Sequence, residues 1–305
     1  MKKVLFATTA LIATTGMAAA EISFGGLGRF GIRYDDSQAI EKSRLESRFR
    51  LTVTGVAESD NGVKFEGRIR WEANAAGFGA NTAPGTGGAG AAGFAVTSGG
   101  FRMDVGNASD VFDSGDIMSW GGTGVGYTGF LDQAANFSGQ NKNGFGAGAN
   151  GREVVKLRYT ANGFTGAASY APGTNTGGSA YWQIGAAYSF GDHKIGAMYG
   201  DTNTGAANAQ WAVGAGGSFG DISYSVIAAD NDVQNGVAYA ASGSYSVSAA
   251  TSLQAFIASG GAAANDTSYG IGAKHSLGGG VTLGTGIGSD AAGNMQADAG
   301  VVFNF

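Results

Sequence analysis

The sequence predicts an all-β protein, folded as a transmembrane antiparallel β-barrel of about 16 strands. Three observations predict this fold class. Apolar and polar residues alternate with a period of two along much of the chain, the second half repeats every 28 to 30 residues, and 57 of the 305 residues are glycine. Each interior glycine costs a helix about 1 kcal/mol relative to alanine, and a membrane-spanning helix needs about 20 consecutive apolar residues, a run that this chain lacks. A helical protein is therefore disfavoured.

The first 20 residues have the three parts of a secretory signal peptide. Lys2 and Lys3 precede an uncharged, mostly apolar stretch at 4–17, and a run of alanines ending at Ala20 forms a small-residue cleavage site. We expect cleavage between Ala20 and Glu21 and one exported domain, residues 21–305. Loss of the two lysines reduces the basic residues from 18 to 16 against 23 acidic ones, a net charge of −7 with no basic tail for nucleic acid.

Two segments show the alternation most clearly. In 44–54 the odd positions are mostly apolar and the even positions are arginine, glutamate or threonine, and 63–72 repeats the pattern. Such alternation is typical of a strand with one apolar and one polar environment. The intervening Asn61-Gly62 is a turn signal, so the two strands form a hairpin.

The repeat in the second half has the size of a hairpin. Strands end on Phe190, Phe219, Val247, Leu277 and Phe305, at separations of 29, 28, 30 and 28 residues. Each interval holds two strands of about 10 residues, one short turn and one longer loop, as membrane-spanning hairpins do. Unequal polar loops between alternate strands argue against a stacked solenoid.

Sixteen candidate strands follow from these patterns, with seven short and eight longer connections between them. A sheet with an apolar outer face must close, because lipid leaves unpaired backbone groups unsatisfied. The soluble alternative is a periplasmic sandwich or small-ligand barrel. The strands are predicted at 21–34, 44–56, 62–73, 93–98, 101–107, 152–160, 163–171, 181–190, 193–200, 209–219, 222–229, 237–247, 251–259, 267–277, 281–289 and 295–305.

Three segments make the chain resemble the general diffusion porins of alphaproteobacteria: the opening strand at 21–34, the Ser47-Arg48-Phe49-Arg50-Leu51 strand, and the final strand at 299–305. The resemblance implies a 16-stranded homotrimer in the bacterial outer membrane, in contact with lipid and lipopolysaccharide. It also implies that the third loop folds into the lumen and that Phe305 is a signal for the outer-membrane assembly machinery.

Nine basic residues occupy the strand positions opposite most apolar ones, so we predict that they line the lumen. The following segment, 107–151, is far longer than an ordinary connection, and we hypothesise that its aspartates face these basic residues across a constriction. Pairing of the arginines with Glu46, Glu66 and Glu72 is compatible with this role. The basic set is Arg29, Arg33, Arg44, Arg48, Arg50, Lys64, Arg68, Arg70 and Arg102; the acidic set is Asp110, Asp113, Asp116 and Asp132.

The sequence thus predicts a pore for passive diffusion of ions and small polar solutes, with a weak preference for cations. The alternatives are a substrate-selective channel of the same architecture and a non-conducting structural or adhesive barrel. We expect no enzyme, cofactor or nucleic-acid partner, since two Gly-x-Gly-x-x-Gly matches lie outside any βαβ context. His193 and His275 lack the partners of a metal site. Exposed loop aspartates could bind Ca²⁺, namely Asp230, Asp232 and Asp266.

Overall fold

The computed structural model describes residues 21–74, 88–118, 144–145, 153–173, 179–202, 209–231, 236–261 and 267–305. The predicted signal peptide, Asp132 and most of the predicted loops at 74–92 and 107–151 lie outside these ranges. Within them the chain forms β-strands and turns, and it contains no helix that is long and apolar enough to cross a membrane. The strands are β1 (Glu21–Asp35), β2 (Ser43–Glu58), β3 (Lys64–Asn74), β4 (Gly88–Ala89), β5 (Gly93–Ser98), β6 (Phe101–Asn107), β7 (Glu153–Ala161), β8 (Phe164–Ala171), β9 (Tyr181–Phe190), β10 (His193–Thr202), β11 (Gln210–Phe219), β12 (Ile222–Asn231), β13 (Ala238–Ser246), β14 (Thr251–Gly260), β15 (Ser268–Gly278), β16 (Val281–Ser289) and β17 (Met295–Asn304).

The strands form one closed antiparallel sheet. Apart from β4 and β5, each strand pairs with the next in sequence, and β1 also pairs with β17, in a register that joins Leu27 to Asn304 and Asp35 to Gln296. The short β4 and β5 both pair with β3, at different positions along it, so they are two parts of one interrupted strand. The barrel therefore has 16 strands, as predicted. The predicted strand ends agree with the observed ones to within two residues, apart from β4, which was not predicted.

Tight turns close one end of the barrel. Asn162 and Gly163 connect β7 to β8 with φ angles of 50° and 80°, and positive φ at both central residues is the requirement of a type I′ turn. Gly191 and Gly220 have positive φ at the first position of two further two-residue loops. Because the strands are antiparallel, the longer connections all leave and rejoin the sheet at the opposite end.

The two faces of the sheet have opposite chemistry. Large apolar side chains such as Phe24, Leu45, Ile257 and Ile271 are half or more exposed, and they alternate with side chains that point into the barrel. Aromatic residues lie on the outer face at strand ends, including Tyr188, Phe190, Phe219 and Tyr245. This arrangement suits a barrel with lipid outside and water inside.

The chain after β6 enters the barrel. We call residues 108–118 the inner segment. Its Val111, Phe112 and Ile117 are at most 1% exposed and pack on the inner wall, together with side chains of β9 to β14. The prediction that the third loop folds into the lumen is confirmed for this part of it.

Glycines on the wall make room for the inner segment. A Cβ atom added at Gly196 of β10 would lie 2.9 Å from the Ile117 carbonyl oxygen, and one added at Gly185 of β9 would lie 2.8 Å from Cγ1 of Ile117. Contacts this short require something to move. The glycines at these positions therefore permit the close approach of the inner segment to the sheet.

Replacing Gly196 by alanine tests this packing. Because the backbone oxygen of Ile117 cannot rotate away, we expect Gly196→Ala to destabilise the barrel by about 1–3 kcal/mol through overpacking. Gly55→Ala is the matched control, since a Cβ there meets nothing within 4 Å. Unfolding in detergent micelles, followed by far-UV circular dichroism, measures both variants. Equal unfolding midpoints for the two would contradict the packing described.

Candidate functional site

The predicted basic residues project from the inner face of the sheet. Arg29 and Arg33 alternate with the exposed Phe30 and Ile32 on β1, and the register places Arg48 directly opposite Arg29. Their side chains are mostly buried, with exposures of 16% to 29% for Arg29, Arg33, Arg44, Arg48, Arg50, Arg68 and Arg102. Lys64 differs, because it lies at the short-turn end, 57% exposed and 3.6 Å from Glu58.

Three glutamates on the same face form ion pairs with these arginines. Glu46 has Arg29, Arg33 and Arg44 at 3.8, 4.0 and 3.9 Å. Glu72 accepts a hydrogen bond from Arg50, and it lies 3.5 Å from Arg48.

Glu66 is the third of these acids, 3.2 Å from Arg102 and 3.9 Å from Arg68. Arg102 also lies 2.9 Å from Asp104 on its own strand. Each of the three glutamates therefore pairs with more than one guanidinium group of the wall.

Asp110 lies elsewhere than the sequence predicts. Its side chain is fully buried, and its carboxylate accepts hydrogen bonds from Tyr181 Oη at 2.9 Å and Gln183 Nε2 at 3.2 Å, both on β9. It also accepts one from the backbone N–H of Asp113 at 2.9 Å. These contacts make Asp110 an anchor that holds the start of the inner segment to the wall, turned away from the arginines of β1 to β3.

Asp116 is bound by three cationic side chains that are not among the nine predicted basic residues. Its carboxylate accepts hydrogen bonds from Lys156 at 2.6 Å and Arg158 at 2.7 Å on β7. Its backbone carbonyl accepts one from Lys194 of β10 at 2.6 Å. Burial acts to raise the pKa of the Asp116 carboxyl, but Lys156 and Arg158 together outweigh it and hold that pKa below its usual range.

Phe145, near the end of the long loop, contacts two residues of the arginine wall. Arg70 donates a hydrogen bond to the Phe145 carbonyl oxygen at 2.6 Å, and the guanidinium groups of Arg68 and Arg70 lie 4.2 and 4.4 Å from the centre of the Phe145 ring. The Phe145 N–H donates to Ser109 Oγ at 3.1 Å. The start and the return of the long loop therefore meet inside the barrel and touch the wall formed by β3.

The exposed Asp113 lies beside this contact. A Cβ added at Gly144 would be 2.6 Å from Oδ2 of Asp113, so the carboxylate is adjacent to the residue that precedes Phe145. The structure describes three of the four predicted acidic residues, and Asp113 is the exposed one among them. It lies next to Gly144, whose neighbour Phe145 contacts Arg68 and Arg70. Asp132 lies outside the described residues.

Alternation would have found the missed cations. Lys156 and Arg158 alternate on β7 with the exposed Val155, Leu157 and Tyr159, and Lys194 precedes the exposed Ile195 on β10. The prediction stopped at the dense basic region before residue 103. Phe145 carried no such signal, because a loop has no fixed alternation of faces.

Phe305 closes the seam between the two ends of the chain. Its backbone exchanges two hydrogen bonds with Gly26 of β1, at 2.9 and 3.2 Å, and its ring stacks on Phe49 with 5.6 Å between centroids. The ring is 53% exposed on the outer face.

Both histidines lie among ordinary polar and aromatic neighbours. The His193 ring is 4.6 Å from that of Phe219, and His275 Nδ1 is 2.8 Å from Thr251 Oγ1. No group of three potential metal ligands occurs among the described residues. Asp230 accepts a hydrogen bond from the N–H of Asn231 at 2.8 Å, while Asp232 and Asp266 lie outside the described ranges.

Comparison with known proteins agrees with this geometry. A family model of Gram-negative porins matches residues 7–294. The chain belongs to the Gram-negative porin family. Members of this family are channels of the bacterial outer membrane, not enzymes.

Individual relatives support the same assignment. The chain is 29% identical to a porin of Fuscovulum blasticum over 295 residues, which cover 93% of this chain and all of the relative. A solved triple variant of the Rhodopseudomonas blastica porin superposes with a TM-score of 0.82 at 25% identity, and another solved variant with 0.81 at 24% identity. Each covers 93% of this chain and all of the solved one.

Replacing Asp116 by asparagine tests the anchor on β7. We expect Asp116→Asn to lower the free energy of unfolding by about 2 kcal/mol at pH 7, because it removes the carboxylate shared by the buried Lys156 and the partly exposed Arg158, while Lys156 keeps Asp104 at 3.7 Å. The folded-state pKa of Asp116 is lowered, so this stabilisation is complete above the ordinary aspartate pKa of about 3.9 and is lost as the pH falls through the lower folded-state value. The difference between wild type and variant should therefore shrink below about pH 4.

Thermal unfolding in detergent at pH 7 and pH 3 measures this difference. Asp60→Asn, in the exposed turn between β2 and β3, is the control and should match the wild type at pH 7. An Asp116→Asn variant as stable as the control at pH 7 would show that the contacts with Lys156 and Arg158 do not anchor the segment.

Proposed function

We propose that the barrel is a water-filled channel through which ions and small hydrophilic solutes cross the outer membrane by passive diffusion. The observation that carries this proposal is the inner segment, which is fixed to one side of a closed barrel whose opposite inner wall is charged. A wall of this kind needs water, since charged groups are costly to bury without it. Membership of the porin family supports the same function.

In this proposal the water path is lined by the predicted arginines and narrowed by the inner segment. Asp110 and Asp116 have a positioning role, because their carboxylates are engaged by wall residues. Asp113 and Asp132 are then the acidic residues that remain to oppose the arginines. Lys64 belongs to the mouth at the short-turn end, where it is exposed beside Glu58.

We also infer how the mature protein is assembled. The chain is exported by its signal peptide, cleaved between Ala20 and Glu21, and inserted by the outer-membrane assembly machinery, which recognises the terminal Phe305. It functions as a homotrimer surrounded by lipid and lipopolysaccharide. The exposed Phe305 ring and the broad apolar outer face support these roles.

Conductance separates this function from its alternatives. Purified protein in a planar bilayer should give large steps that are linear in voltage. A current that one solute blocks at low concentration would favour the substrate-selective channel. The absence of any current would favour the structural or adhesive barrel.

Removal of residues 110–135 tests the constriction. Because this deletion removes Val111, Phe112 and Ile117, which pack on the inner wall, we expect a higher single-channel conductance. Deletion of residues 37–41, in the exposed loop between β1 and β2, is the control and should leave conductance unchanged. If the two deletions conduct like the wild type, the inner segment does not limit the current.

A further inference from the structure

The charge of the inner wall is opposite in sign to that of the whole chain. On β1 to β3, away from the short-turn end, seven arginines face four carboxylates: Asp35, Glu46, Glu66 and Glu72. With the short-turn end again left out, the inner wall and the inner segment together carry twelve basic and nine acidic side chains among the described residues. The interior is therefore positive although the mature chain has a net charge of −7.

Arginines also stand directly opposite one another on neighbouring strands. The register pairs Arg29 with Arg48 and Arg33 with Arg44. Like charges in this arrangement repel, and Glu46 lies between the two pairs with contacts of 3.8 to 4.0 Å to three of the four. Arg33 also lies 3.6 Å from Asp35, and Arg48 lies 3.5 Å from Glu72, which is shared with Arg50. Four arginines thus share three carboxylates, which leaves an excess of positive charge over this part of the wall.

The long loop does not remove the excess. Within the inner segment, Asp110 is fully buried in contact with Tyr181 and Gln183, and Asp116 is balanced by Lys156 and Arg158. Asp113 adds one exposed carboxylate, which is fewer than the three positive charges by which the seven arginines of β1 to β3 exceed their four carboxylates. The stretch 119–143 contains one acidic residue, Asp132, and one basic residue, Lys142, so it adds no net charge.

The negative charge of the chain belongs to the ends of the barrel. Acidic residues occupy the short turns, as Asp60, Asp192 and Asp221 do, and the loops at the other end, as Asp36, Glu41 and Asp290 do. Strands of about 10 residues rise roughly 33 Å, so the middle of the wall lies about 15 Å from either end. Exposed charges are largely screened beyond about 8 Å at physiological salt. The arginines therefore dominate the potential in the middle of the water path.

We infer that this channel prefers small anions to cations of similar size, and among anions favours those with carboxylate or phosphate groups. The inference rests on the proposed function, and it reverses the cation preference expected from the sequence. Guanidinium groups bind oxyanions through paired N–H donors. An array of them on one wall attracts such solutes from bulk solution and offers successive weak contacts along the path.

The zero-current potential across a planar bilayer tests this inference. The measurement uses KCl at about 0.1 M on one side and 0.01 M on the other, where screening is modest. The sign of the potential should show that chloride is more permeant than potassium, and its size should give a permeability ratio of about two or more. Potassium phosphate in place of KCl should retain the anion preference. A conducting channel that prefers potassium in both salts would overturn the inference and leave the proposed function intact, whereas the absence of conductance would overturn the proposed function itself.

Two single variants show where the preference arises. Arg44→Gln and Lys42→Gln each remove one positive charge only two residues apart, but Arg44 lies on the inner wall and Lys42 lies at the mouth, paired with Asp36. We expect Arg44→Gln to reduce the permeability ratio and Lys42→Gln to leave it unchanged. Equal effects of the two variants would overturn the assignment to the inner wall. Channel openings at the wild-type frequency show that a variant has assembled. If a variant does not assemble, the zero-current potential of the wild-type protein still decides whether the channel prefers anions.

Discussion

The closure of the sheet between β1 and β17 is the constraint on which the rest of the structure depends. In a bilayer there is no water to satisfy a backbone N–H or C=O group, so a sheet with two free edges is not viable. Here β1 pairs with β2 from Glu21 to Tyr34 on one side and with β17 from Leu27 to Asp35 on the other. Closure also defines an inside and an outside, and only then does the alternation along each strand separate a lipid face from a water face.

The inner segment combines two kinds of attraction that do different work. Burial of Phe112 and Ile117 against the wall supplies a non-directional attraction, which the glycines at 185 and 196 make possible by allowing close contact. Buried ion pairs contribute little net stability, because desolvation offsets most of the Coulombic gain. Their geometry is nevertheless demanding, so the contacts of Asp116 with Lys156 and Arg158 specify where the segment lies rather than whether it binds.

Much of this site follows from local rules, and the exceptions have identifiable causes. The arginines of β1 to β3 could be assigned to the inner face because neighbouring apolar residues mark the outer one. The same alternation applies to Lys156, Arg158 and Lys194. They were missed because the prediction used the density of basic residues, and these three occur as one pair and one single residue. Asp110 was expected opposite the arginines and is instead buried against β9, since its partners Tyr181 and Gln183 are more than 70 residues away in sequence.

The strands, their two faces and the closed barrel could be predicted from the sequence, because the face of each strand residue is set by its immediate neighbours through the two-residue period of the β backbone. The side of the lumen that the inner segment occupies, and the carboxylates that are engaged there, could be found only in the folded structure. Those outcomes depend on contacts across 40 to 78 residues, between Asp116 and the cations of β7 and β10. A loop has no period that would place its side chains in advance, so its position is settled by the wall that it meets.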